Sequence, residues 1–351
     1  MFFPSKQVLG LDIGSSSIKA FQAKETRKGF ELLKFTIKDV LPDSIVDGAI
    51  MDSASVVQVI NEILKELKVK RINACTSISG HSVIVKKISV SKMAETELRD
   101  TIILESEQYI PFDIDDVNID FQIIGDSKTT EGQMEIILVA AKKEQINDYS
   151  NLIRETGLLP VIVDLDAFAL QNCYEVNYEE EPGKTIALVN IGASSININI
   201  LKNRVSAFVR DIPLGGKQYT EAIQKEMQLS FAEAEKLKKS IDSQGQVPSE
   251  AEGILNGVSD EICQEIKRSF DFFRTQTQEV EVDKIYLSGG SSKIPGLDKL
   301  LAERTGMEVK PLDPFRRIKI NEKIFDLKLL KEIAPMSCVG MGLAIRKFEG
   351  K

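Results

Sequence analysis

The chain has 351 residues, 42% apolar and 28% charged, an ordinary balance for a soluble globular protein and enough length for two cores rather than one. Its 53 acidic and 45 basic residues leave a formal charge of −8, which disfavours nucleic acid as the main partner because binding a phosphate backbone needs a basic face. No stretch reaches the ~18 apolar residues of a membrane span, and the opening MFFPSKQVLG lacks the basic and apolar regions of a signal peptide, so a cytoplasmic protein is expected.

The first element is Leu9–Lys19, LGLDIGSSSIK. A buried strand runs into Asp12, Gly14 and three serines, then resumes at Ile18 as the return strand of a tight hairpin. Gly14 lets a ligand approach the backbone, and the N–H groups of Ser15, Ser16 and Ser17 can form an anion-binding concavity. Asp12 is placed to hold a water-coordinated divalent cation beside that anion, and Lys19 can reach back with a positive charge. The plain alternative is an ordinary Gly/Ser hairpin. A dinucleotide-binding glycine loop is excluded, because no helix follows the first glycines.

Residues 31–39 continue the meander. Ser53 reads as the N-cap of a helix to about Lys68, with Val56, Val57, Ile60, Ile63, Leu64 and Leu67 as its buried stripe. Strands follow at Ile72–Ile78 and Val83–Val90. From Ser91 a compact insert of helix, strand, strand and helix is expected: Glu95–Tyr109, Val117–Ile124, Glu135–Ala141 and Glu144–Thr156. A strand at Pro160–Asp166 and a helix at Ala167–Val176 lead to Asn177–Lys184, the best linker candidate. The single histidine, His81, is too little for a zinc site or a Ser-His-Asp triad. Cys75, Cys173, Cys263 and Cys338 lack CxxC spacing and read as buried free thiols.

The opening motif then recurs. Leu188-Val-Asn190-Ile-Gly192-Ala193-Ser194-Ser195-Ile196 aligns with Gly10–Ile18 at an offset of 178 residues (190 − 12), and each copy begins a three-strand meander. Repetition at half the chain length predicts two lobes of one basic unit. Gly215-Gly216 opens a helix at Lys217–Met227, and Ser230-Phe-Ala-Glu233 is a capping box for a helix at Ala232–Ile241. After a polar loop, Asp242–Glu250, comes a long amphipathic helix. The strand Lys284–Leu287 ends in Ser288-Gly289-Gly290-Ser291-Ser292, and the last helix is expected at Ile333–Arg346.

Two facing Gly/Ser hairpins with a late Ser-Gly-Gly element resemble the layout of the actin/Hsp70/sugar-kinase superfamily. The segments SGHSVIVKKI (79–88), ESEQYIPFDIDDVNID (105–120), VAAKKEQINDY (139–149), DAFALQN (166–172) and RDIPLGGKQYTEAIQK (210–225) are similar to the PilM family of type IV pilus assembly, over essentially the whole chain. The resemblance implies an α/β, actin-like ATPase fold (a duplicated ribonuclease H-like unit), with nucleotide in the cleft between two lobes and the inserted subdomain shared by PilM and FtsA. By the same resemblance, 1–90 with 161–184 and 332–351 form the first lobe's core and 91–160 the insert. The second lobe's core is 185–222 with 283–331, and 223–282 is a helical subdomain.

The implied cofactors are ATP or ADP with Mg²⁺. Asp12 would position the metal through water, Ser15, Ser16, Ser17 and Lys19 would contact the β- and γ-phosphates, and Gly192, Ala193, Ser194 and Ser195 would form the opposing hairpin. Gly215, Gly216 and Lys217 are expected near the ribose and phosphates, Glu235 and Lys236 on the adenosine side, and Gly289, Gly290, Ser291 and Lys293 by the base and ribose. Asn190 stands where many superfamily members carry aspartate, so the resemblance implies slow hydrolysis at most. Asp166 is the candidate to orient water, or else an N-cap for the helix that follows.

The implied partner is the N-terminal cytoplasmic peptide of the inner-membrane protein PilN, docked as an extended segment beside the insert. Contacts with other pilus-machine proteins, including cytoplasmic ATPases, and self-association are also implied, with the membrane reached only through PilN. Two other readings share the fold. An FtsA-like division protein anchors through a C-terminal amphipathic helix, for which Lys347–Lys351 is too short. A small-molecule kinase needs a general base that only Asp166 could supply.

Overall fold

The protein is described here by a computed structural model covering residues 7–127, 130–244, 249–277 and 280–348. The N-terminal meander is β1 (Val8–Ile13), β2 (Ser17–Thr26) and β3 (Gly29–Asp39), followed by the short pair β4 (Ile45–Val46) and β5 (Ala49–Ile50). Helix α1 (Ser53–Leu67) is capped one residue earlier than expected: the Asp52 carboxylate accepts from the Ser55 N–H at 3.0 Å, and Lys68 closes the helix in the left-handed region. Its buried face packs over the meander, and β6 (Asn73–Ile78) then pairs parallel with β1.

The insert begins earlier than the sequence suggested. β7 (Val83–Ser91) pairs with β9 (Gln133–Lys142) along its whole length, and β8 (Val117–Asp126) lies on the other side of β9. A boundary at residue 91 therefore cuts through a sheet. This sheet and α2 (Glu95–Ser106) share a core of their own around Leu98, Ile102, Ile136 and Leu138. Helix α3 (Lys143–Glu155) belongs elsewhere: Tyr149, Leu152 and Ile153 are buried in the first lobe's core. By packing, the insert is the three strands with α2, and α3 is the first lobe's.

β10 (Leu159–Leu165) completes the first sheet, and α4 (Asp166–Asn177) follows it directly. The predicted linker does cross to the second lobe, but it is tied down. Asn177 is fully buried, donates to the carbonyls of Cys173 and Pro314, and accepts from the Arg317 N–H. The second lobe has β11 (Thr185–Ile191), β12 (Ile196–Lys202) and β13 (Val205–Ile212), then α5 (Gly216–Met227), α6 (Phe231–Gln244) and α7 (Ser249–Gln276). The capping box forms as expected, with Ser230 and Glu233 exchanging hydrogen bonds. Most of the expected polar loop at 242–250 is helical, and 245–248 lie outside the described residues. β14 (Lys284–Ser288), α8 (Leu297–Thr305), β15 (Glu308–Pro311), α9 (Leu327–Ile333) and α10 (Cys338–Ala344) finish the chain.

The two large sheets have the same topology. One runs β3-β2-β1-β6-β10 and the other β13-β12-β11-β14-β15, each an antiparallel meander extended by two parallel strands. The repeat at 178 residues is thus a duplication of architecture as well as of motif. All four cysteines are buried and free.

The last predicted helix, Ile333–Arg346, is helical over α10 alone, and α9 ends at Ile333, where that prediction began. Pro335 has no N–H to donate, and a short 3-10 turn at Ala334–Ser337 separates α9 from α10. The sequence of α10, CVGMGLA, then brings backbone against backbone. A Cβ on Gly342 would lie 1.8 Å from the Ala169 carbonyl oxygen of α4, and one on Gly10 of β1 would lie 2.5 Å from the Ala344 nitrogen. Neither neighbour is a movable side chain, so Gly342→Ala is expected to cost about 3 kcal/mol or more, at the upper end for overpacking. Urea unfolding of the variant measures it; a loss below about 1 kcal/mol would contradict this packing.

Candidate functional site

The two hairpins face each other across the space between the lobes. In each, the glycine N–H closes the turn on a serine carbonyl: Gly14 to Ser17 at 3.2 Å and Gly192 to Ser195 at 2.9 Å. At the tips, the Ser15 hydroxyl donates to the Ser194 hydroxyl at 2.9 Å, joining the lobes directly. Among the described residues nothing accepts from the N–H groups of Ser15, Ser16, Ala193 or Ser194. Unpaired N–H groups on two opposed turns form an anion cradle without needing a net positive cleft. The cavity they border has a volume of about 360 Å³, within the usual range for a small-molecule site.

The duplicated strands carry different pairs at the same register. Asp12 stands opposite Lys19, and their side chains form a mostly buried ion pair at 3.1 Å. Asn190 stands opposite Asn197, and its amide donates to the Asn197 oxygen at 2.9 Å. A charged pair in one jaw is a neutral pair in the other.

The expected site residues divide into lining and bracing groups. Asp12, Gly14, Ser15, Ser16, Ser17, Lys19, Asn190, Gly192, Ala193, Ser194, Ser195, Glu235, Gly289, Gly290, Ser291, Lys293 and Asp166 all line the cavity. Gly215, Gly216 and Lys217 stand behind it. The N–H groups of Gly216 and Lys217 donate to the carbonyls of Gly192 and Ala193, so the start of α5 braces the second hairpin. A Cβ on Gly215 would lie 2.6 Å from the Gly192 oxygen, which explains the glycine there. The Lys217 ammonium instead reaches across the cleft to Asp43 at 3.3 Å.

Gly289 has φ +93°, and a Cβ there would lie 2.1 Å from the Ile191 carbonyl oxygen, so only glycine lets this turn sit on β11. Ser291 ties the same turn to Gly192 through its hydroxyl. On α6 the cleft-facing residues are Glu235, Lys238 and Lys239, spaced three and four apart, while Lys236 is outside the lining. Lys238 is nearly buried, held at 2.6 Å from Glu235 and donating to the Gly216 carbonyl. Helical spacing from Glu235 singles out 238 and 239 rather than 236. Asn197, Ser77, Ser79, Glu332 and Met336 also line the cavity without any motif to mark them.

Asp166 does not cap α4. Its carboxylate accepts from the Ser77 hydroxyl at 2.5 Å and lines the cavity. Burial, with the Asp12 carboxylate nearby, pushes Asp166 up to about 6 despite the hydroxyls of Ser77 and Ser79. A carboxyl raised on folding takes up a proton that the unfolded chain does not, so its penalty is absent below the ordinary pKa of 3.8 and complete above about 6. Asp166→Asn removes that penalty. It should raise stability by on the order of 1 kcal/mol at pH 7.5, with the gain vanishing towards pH 4. Urea midpoints across this range check it; a pH-independent difference would contradict it.

Comparison with known proteins places this geometry in a family. The family model for type IV pilus assembly protein PilM matches residues 10–348. A chain solved in a PilM–PilN type IV pilus biogenesis complex is 30% identical, with a TM-score of 0.87 over 98% of this chain and 99% of that one. The ethanolamine utilization protein EutJ from Carboxydothermus hydrogenoformans matches at 14% identity and a TM-score of 0.58, covering 98% of this chain and 90% of its own. MreB5 of Spiroplasma citri, solved with ADP, matches at 13% and 0.53, covering 96% and 94%. The last two share the fold alone, which is the actin-like, two-lobed α/β fold expected from the duplicated hairpins. The match to the family model over almost the whole chain decides against the FtsA-like reading: the chain belongs to the PilM family of type IV pilus assembly proteins.

Proposed function

We propose that the chain is a nucleotide-dependent adaptor of type IV pilus assembly, binding ATP or ADP with Mg²⁺ between the lobes and docking the N-terminal cytoplasmic peptide of PilN beside the insert. The observation that carries this reading is the match along both full chains to a relative solved with PilN. The MreB relative was solved with ADP, which supports an adenine nucleotide in the corresponding cleft.

The residues present fit such a ligand. Ser15, Ser16, Ala193 and Ser194 would hold phosphate oxygens through N–H groups that no other described residue uses, with Lys19 adding charge. Glu235, Lys238 and Lys239, with Gly289, Gly290, Ser291 and Lys293, would frame the nucleoside. Among the described residues no cluster of three His, Cys, Asp or Glu forms a metal cage. A Mg²⁺ held by phosphates and water beside Asp12 needs none.

Turnover is expected to be slow. Asn190 is neutral and committed to Asn197, leaving Asp166 as the candidate to orient water. Among the described residues no helix is long and apolar enough to cross a membrane, so in this reading the inner membrane is reached through PilN. Further contacts with the machine's cytoplasmic ATPases and with copies of itself belong to the same role.

Calorimetric titration tests both halves separately. MgATP binding should weaken about 10- to 100-fold in Lys19→Ala, the value of a charge-assisted contact, with PilN-peptide binding retained. Hydrogen exchange with the peptide should protect segments within 83–142; protection confined to the second lobe would overturn the docking side. Phosphate release should stay far below the ~10 s⁻¹ typical of enzymes, with or without candidate metabolites.

A further inference from the structure

β12 reads Ile196-Asn-Ile-Asn-Ile200, and its two faces serve different lobes. Ile196, Ile198 and Ile200 fill the second lobe's core. Asn199 donates to the Ala167 carbonyl at 2.9 Å, a plain tie between the lobes. Asn197 has a different setting, in the middle of a line.

The line begins where β14 enters its glycine turn. The Ser288 hydroxyl donates to the Asn190 oxygen at 3.3 Å, and the Asn190 amide donates to the Asn197 oxygen at 2.9 Å. The Asn197 amide donates to one oxygen of Asp211 at 2.9 Å, and the other oxygen accepts from the Gly80 N–H at 2.6 Å. Each asparagine is used at both ends, so the polarity of the line is set, and only a carboxylate can accept from both sides at its far end. In the first lobe the equivalent pair is Asp12 with Lys19, where the ammonium can only donate and the carboxylate only accept, so neither passes a hydrogen bond along. Replacement of charge by amide is what lets the second copy extend.

The two ends lie in places that the function needs connected. Asn190 and Asn197 border the cavity. Gly80 is in the turn between β6 and β7, and β7 is an edge strand of the insert's sheet, with β13 packed against it. We infer that Asn190, Asn197 and Asp211 form a hydrogen-bonded relay by which a ligand at the second hairpin sets the position of the β6–β7 turn and so of the insert. This rests on the reading that the cleft takes a nucleotide. A phosphate oxygen or its water entering beside Ser194 competes for the asparagine amides. A donor drawn off the line is one lost by Asp211, whose carboxylate burial already penalises and which Asn197 and Gly80 relieve. The carboxylate must then shift, and Gly80 moves with it.

Hydrogen–deuterium exchange across 79–91, with and without MgATP, reads the relay at the Gly80 N–H itself. In the wild type MgATP should change exchange in this segment about fivefold or more, the lower range of measured couplings. Asp211→Asn presents a donor to a donor at one end of the line. It should abolish that response while binding MgATP within about twofold of the wild type by calorimetry. Asn197→Leu, which cuts the line at its middle, is the second variant should the first fail to fold, and should abolish the response too. A response equal to wild type in a folded variant overturns the relay, as does a wild type that binds MgATP with no change at 79–91. A wild type that does not bind MgATP in the titration overturns the nucleotide reading itself, and the two failures are thereby separate.

Discussion

The arrangement depends on backbone meeting backbone at α4. On one side Gly342 of α10 lies against the Ala169 carbonyl, closer than any side chain allows, and Gly10 lets β1 close on the same helix α10. On the other side α4 receives the second lobe: Asn199 bonds to Ala167, and Gln171 accepts from Ser206. Leu170, Cys173 and Tyr174 of α4 join Ile186, Leu188 and Tyr286 in a core that belongs to neither lobe alone. With α4 fixed between two sheets, β1 and β11 point their ends at one another, and the hairpins meet because the helix between them cannot move away.

What closes the cleft is weaker than what closes its floor. Lys239 with Asp39 and Lys217 with Asp43 are exposed pairs across the opening, and such pairs contribute up to about 1 kcal/mol in water. The Ser15–Ser194 bond is a single neutral contact. Buried apolar and backbone contacts therefore hold the lobes at the base, while the mouth is held by interactions that a ligand of modest affinity can outweigh. That balance suits a cleft whose occupancy decides its state.

The duplication was legible because Gly, Ser, Ser and Ile recur at one offset, and a tight hairpin tolerates few alternatives at those positions. Asp12, Lys19 and both serine tips consequently lie where the motif put them. The bracing role of Gly215–Lys217 was hidden, since glycines that admit a ligand and glycines that admit a neighbouring backbone read alike. Lys238 and Lys239 escaped notice because a charged helix face has several rotations until its neighbours are known. The start of the insert was misplaced because β7 alternates like any edge strand, and pairing with β9, some fifty residues on, carries no local signal. Asn197 and Asn199 look like the wet face of a half-exposed strand; only the second lobe's partner makes that face dry.

The four buried thiols give each body of the molecule its own chemical clock. Cys75 sits in β6 of the first sheet and Cys263 in α7 of the second lobe, while Cys173 and Cys338 share the core between the lobes. Burial pushes Cys263 up to about 12 and raises Cys75 and Cys338 as well, so these three hold almost no thiolate at neutral pH. Alkylation then proceeds only as fast as the surrounding structure opens. Labelling at Cys173 and Cys338 times the parting of the lobes, and labelling at Cys75 and Cys263 times the unfolding of each lobe separately, with no probe added to the chain.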